Sequence, residues 1–171
     1  MASPVREWIL ENFKESVRLE QKTIDVVADF VLIWNLFEGV ECSTQAGIRQ
    51  FEQFANGITG QIPETLLNDL LSFWKFRYVA DGNTNGRFEK LTFRRNDRKE
   101  LVADVLLERN DSTEDIILAL LIIVYRLRNN LFHGLKTIDR LNDQRENLSH
   151  AIEVLQALIP ESNLYLYKES A

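Results

Sequence analysis

The stretch Val124-Tyr125-Arg126-Leu127-Arg128-Asn129-Asn130-Leu131-Phe132-His133-Gly134 brings guanidinium, amide and imidazole side chains together. Imidazole takes up and returns protons near neutral pH, and guanidinium holds a phosphate through two parallel hydrogen bonds. Those parts can cleave RNA without a metal. A base activates the ribose 2′-hydroxyl, a cation steadies the charge growing around phosphorus, and an acid protonates the leaving oxygen. Asn129 and His133 stand four residues apart, hence on one face of a helix, and Arg128 lies about 100° round from Asn129.

Other chemistries drop out quickly. None of the seven glycines shows G-x-G or Walker spacing, and G-x-S-x-G, H-E-x-x-H and Glu-x-x-His patterns are absent. One cysteine, Cys42, cannot form an intrachain disulfide, and with two histidines it cannot build a structural zinc site. Glu41 beside it discourages a thiolate, so Cys42 reads as structural. No metal and no cofactor are expected.

The elements that must position the motif are helical. With only seven Gly and three Pro in 171 residues, turn formers are sparse. Ile116 to Tyr125 is apolar on every face, so that segment must be buried all round. Asp111, Ser112 and Thr113 offer caps ahead of it, and Glu114 and Asp115 place negative charge where the helix dipole favours it. The pattern runs to His133 and stops at Gly134, a residue suited to the position just past a helix end. Upstream, Ser3-Pro4 starts a helical pattern reaching about Glu41, with a break near Gln21 to Thr23. Ser43-Thr44 caps a third helix ending near Gly57, and Pro63-Glu64 opens another carrying Leu66/Leu67, Leu70/Leu71, Trp74 and Tyr78. Asp81 to Gly86 is the clearest turn, and the following RFEKLTFRR reads as extended or irregular. Asn96 caps a short helix over 97–108, and a last helix runs from Thr137 or Leu141 to Ile159, ended by Pro160. Tyr165 and Tyr167 in the tail either pack or fray. No segment reads as a convincing strand. The expectation is one all-α domain over 1–171, a single-domain helical bundle around a buried central helix at 113–133.

The net charge of −6 speaks against a protein that coats nucleic acid nonspecifically. The charge is uneven, however, with basic islands at 87–99 and 126–140 on an otherwise acidic chain. They suggest a localised anion site, or simply solvated helix faces. The amino-terminal MASPVREWILENF lacks an uninterrupted apolar core, and no apolar run is long enough to span a bilayer. A cytoplasmic protein with no membrane contact is expected.

Arg128 to His133 also resembles the R-x4-6-H motif of the HEPN superfamily of small helical proteins, with Asn129 as the polar residue after the arginine. The wider string YRLRNNLFHG looks like the version in HEPN proteins of bacterial and phage-defence settings. The resemblance implies a HEPN-like fold and a metal-independent ribonuclease of toxin or defence type, formed by a homodimer whose two motifs face a shared cleft. It implies Arg128 and His133 as catalytic residues, with Asn129 orienting the imidazole or binding phosphate. Arg126, Asn130 and Lys136 would contact RNA from the same segment. Arg94, Arg95 and Arg98, with Lys99, would guide its backbone from the other island. A regulatory partner such as an antitoxin goes with such a toxin. Family members paired with a nucleotidyltransferase antitoxin carry H-x-Y, and Leu135 stands at the tyrosine position here.

Two further readings stay open on the residues. Arg145 to His150 is a second R-x4-H, disfavoured because Glu146 follows its arginine. A histidine in a last helical turn before glycine is also what capping alone selects, which leaves a non-catalytic RNA-, nucleotide- or protein-binding module as the alternative. The apolar segment FVLIWNLF, 30–37, is explained by the monomer core or by a dimer interface, with Asn35 and Glu38 as polar groups able to reach the cleft.

Overall fold

The long apolar segment forms α7 (Thr113–Phe132), whose residues from Ile116 to Val124 are all buried. A helix apolar on every side is stable only when neighbours cover every side, and α3, α4, α6 and α8 all pack on it. The computed structural model describes residues 4–13, 19–132 and 140–162.

Around α7 the order is α1 (Pro4–Asn12), α2 (Gln21–Glu41), α3 (Ile48–Ile58), α4 (Glu64–Tyr78), the two-residue strands β1 (Val79–Ala80) and β2 (Asn83–Thr84), α5 (Gly86–Glu89), α6 (Lys99–Leu106) and α8 (Arg145–Leu158). The architecture is an all-α, single-domain bundle. Phe30, Trp34 and Phe37 of α2 are buried in the core, where Trp34 and Phe37 meet Phe51 and Phe54 of α3 in edge-on and tilted ring contacts. The most extensive helix pairing is α2 on α8. Asn142 Oδ1 secures it by accepting from Thr23 Oγ1 at 2.7 Å and from the Glu20 N–H at 3.2 Å.

Several local expectations shift. The first helix ends at Asn12 and the second begins at Gln21, so the chain leaves the helix earlier than the periodicity suggests. Ser43 and Thr44 adopt φ of 49° and 63° and terminate α2 instead of capping α3, which starts after Gly47. Asp81-Gly82, with φ of 52° and 71°, turns a miniature hairpin that pairs Val79 with Thr84 and Ala80 with Asn83. Phe88 and Leu91 are buried three residues apart because a helical turn, not a strand, carries them. Asn85 caps that turn, its Oδ1 accepting from the Arg87 and Phe88 N–H groups. Asn96 caps nothing here, since α6 begins at Lys99 behind Arg98 in the left-handed region. Pro160 sits inside a 3-10 turn, Ile159–Ser162, that continues α8. The expectations for the stop at Gly134 and for the tyrosine tail fall outside the described residues.

Candidate functional site

Because its first three turns are locked in the core, α7 presents its last two turns in a fixed orientation. There the helix divides into two sides, each carrying a pair of residues four apart. Arg126 and Asn130 face the segment 88–97, and Arg128 faces α2 with Phe132 beside it.

On the first side, Arg126 is 2% exposed. Its Nη1 lies 3.1 Å from Asp97 Oδ2, and its Nε donates to the Leu91 carbonyl at 3.1 Å. Asp97 Oδ2 also accepts the Arg94 N–H at 2.6 Å, so one carboxylate closes the 94–97 turn and neutralises the buried guanidinium. Burial pulls the Arg126 pKa below its ordinary value and Asp97 pushes back. Guanidinium has so much basicity to spare that the group stays a cation. The Asn130 amide nitrogen donates to the carbonyls of Lys90 and Leu91 at 3.1 and 3.3 Å. The expectation that Arg126 meets RNA is therefore corrected: it fastens the 88–97 segment to α7 and has no open surface to offer. Asn130 does the same with its nitrogen.

On the second side, the Arg128 side chain is 28% exposed. Its Nη1 donates to Asn129 Oδ1 at 3.1 Å, and its Cζ lies 5.8 Å from the Trp34 ring centroid and 5.2 Å from that of Phe132. Glu38 Oε2 stands 3.7 Å from Nη2, a loose ion pair, while accepting the Trp34 Nε1–H at 2.8 Å. Trp34 is itself held by stacking on Tyr125. Among the described residues, the Asn129 amide nitrogen and Arg128 Nε have no hydrogen-bond partner. This is a guanidinium gripped by rings and an amide, with a weakly held edge that a phosphate or carboxylate can take from Glu38. Glu38 thus does reach this site, whereas Asn35 is exposed. His133, the next residue after Phe132, and Lys136 lie outside the described residues.

The other island divides as well. Arg94 and Arg95 are exposed and form no ion pair among the described residues, whereas Arg98 pairs with Glu52, and Lys99 with Glu89 at 2.7 Å. Its attachment through Asp97 puts this island on the Arg126 side of α7. The second R-x4-H is engaged within the fold. Arg145 Nη1 binds Glu20 Oε2 at 2.7 Å, and His150 stacks on Phe73 at 3.7 Å with Nδ1 2.7 Å from Glu153. Cys42 is buried, and burial together with the charges of Glu38 and Glu41 pushes its thiol up to about 12, so it is not a nucleophile. Among the described residues no three His, Cys, Asp or Glu groups gather where a metal could bind. No described helix is long and apolar enough to cross a membrane.

Sequence reasoning passed over Asp97, Trp34 and Asn147. Asp97 was hidden inside a basic run, where only the sum of charges was read. Trp34 carried no signal beyond an apolar stripe. Asn147 did carry one, being a polar residue on the line Asn147, Ala151, Val154, Leu158 that α8 buries. No protein-family model, no curated protein and no solved structure matches this chain.

Proposed function

We propose that the chain is a metal-independent endoribonuclease of toxin or defence type, acting as a homodimer whose Arg128 and His133 residues meet in a shared cleft. The observation that carries this reading is the Arg128 guanidinium, held in place by Asn129, Trp34 and Phe132 yet open at one edge, five residues ahead of His133 in the chain. In the reaction, one imidazole takes the proton of a ribose 2′-hydroxyl and the oxygen attacks phosphorus. Arg128 balances the charge on the equatorial oxygens, and the 5′-oxygen leaves with a proton from the second imidazole. The products are a 2′,3′-cyclic phosphate and a 5′-hydroxyl end.

Phe132, 52% exposed beside Arg128, is an apolar group that a second copy would cover. The outer line of α2, Leu32, Leu36 and Val40, is exposed too, but it lies about 160–240° round the helix from Trp34. A copy docked there would leave the Arg128 groups apart. The test is cleavage of RNA in EDTA by the purified protein, with end-group analysis and light scattering. Arg128→Ala and His133→Ala are expected to lower the rate by about 10²–10⁴ while the dimer persists. Unchanged cleavage in both variants overturns the assignment.

One observation favours a second reading, a binding module without turnover: Glu38 already sits beside Arg128 on a chain of net charge −6. That reading expects salt-sensitive RNA binding and no cyclic phosphate.

A further inference from the structure

A cleft of about 580 Å³ opens on the side of α7 away from Arg128, with Asn130 about 200° round the helix from it. Arg77 from the end of α4, Arg87 and Lys90 from the α5 segment, and Arg140 line it. Among the described residues of that lining, Asp143 is the one acid. Gln144 lines it too, as do two buried amides, Asn130 and Asn147, each 3% exposed. Their nitrogens are committed, Asn130 to the Lys90 and Leu91 carbonyls and Asn147 to Gln144 Oε1 at 3.0 Å. Their Oδ1 atoms, and the Nε of Arg77, are buried and have no partner among the described residues. Neither oxygen is accessible from the cleft, so what the described lining offers a ligand is four cations against one acid, which call for negative charge.

We infer that this cleft binds a ribonucleotide 5′-phosphate, either free or as a unit of an RNA strand. Inorganic phosphate meets the cations but leaves most of the cleft of about 580 Å³ empty. A nucleoside fills more of it but brings no charge. A nucleotide brings both, and the planar guanidinium groups of Arg77, Arg87 and Arg140 suit the face of a base. The volume falls in the ~300–1,000 Å³ range of small-molecule sites. Cleft and Arg128 share no residue, so the inference stands apart from the ribonuclease reading.

Calorimetric titration of the full chain tests it, using nucleoside 5′-monophosphates, a short 5′-phosphorylated oligoribonucleotide, ribose 5-phosphate, a nucleoside and inorganic phosphate. Binding of a mononucleotide supports the free source, and binding of the oligonucleotide alone supports the strand. In either case the exposed pair Arg87→Gln/Lys90→Gln is expected to weaken binding roughly tenfold or more, and Arg128→Ala to leave mononucleotide binding unchanged. Absence of nucleotide binding at millimolar concentration overturns the inference. So does equal affinity for inorganic phosphate or ribose 5-phosphate, or indifference to the Arg87/Lys90 double variant. Cleavage lost in Arg128→Ala with mononucleotide binding intact separates the two sites.

Discussion

Arg126 and Arg128 stand two residues apart on one helix and meet opposite fates. Arg126 is sealed under the 88–97 segment with a carboxylate at 3.1 Å, and Arg128 rests between two rings with a carboxylate at 3.7 Å. The difference arises because a step of two residues is about 200° of helix, so each side chain takes its surroundings from a different neighbour. A buried charge is committed to its partner, since losing that partner strands it. A half-exposed one keeps water as a substitute and can exchange partners for a ligand. The closed side holds the fold together, and the open side has a cation to spare.

Replacing Asp97 is the strongest way to test this contrast. Asp97→Ala leaves Arg126 buried and unpaired and releases the 94–97 turn, for an expected loss of about 3–5 kcal/mol in urea unfolding. Adding Arg126→Met is expected to restore much of it, because an apolar pair needs no compensation. If Asp97→Ala is silent, the closed side is not closed.

Alkaline titration probes the same side through Tyr78, which packs against Phe88 at the root of the 88–97 segment. Burial raises the Tyr78 hydroxyl from 10.0 to about 12. Above pH 10 the unfolded chain therefore gives up this proton before the folded one, the folded state binds more protons, and stability falls as pH rises toward 12. The expected contribution is about 2–3 kcal/mol by pH 12, and Tyr78→Phe is expected to flatten that part of the stability profile. A variant that keeps the full slope removes Tyr78 as its source.

The smallest effect belongs to the open side. Arg128→Ala forfeits a cation–ring contact and a loose ion pair, so its unfolding free energy is expected to change by about 1 kcal/mol or less while activity falls. A loss as large as that of Asp97→Ala erases the distinction between the two sides.

Much of the frame was legible in the residues. The all-round apolar run at 116–125 announced a buried central helix, and Leu67, Leu71, Trp74 and Tyr78 fell at helical spacing on the buried side of α4. The boundaries around Ser43, Asn96 and Pro160 were less legible. Residues that cap a helix also serve in left-handed turns, and a proline tolerated in a 3-10 turn does not end the chain's winding. Within the candidate site, the spacing of Arg128 and Asn129 was on the surface of the sequence. Glu38, some ninety residues away, was legible only as a polar group able to reach the cleft, and its neighbour Trp34 only as part of an apolar stripe.

Local periodicity, set by 3.6 residues per turn and the cost of wetting apolar side chains, was enough to place α7 and to show that its end carries guanidinium and amide groups. Which arginine would be buried depended on what packed against each side of that end, and only long-range folding could settle that. A carboxylate delivered by the 94–97 turn closed one side, and the Trp34–Glu38 pair of α2 left the other partly open. Electrostatic environment is made by atoms a few ångströms away in space, and a linear chain does not say which those will be.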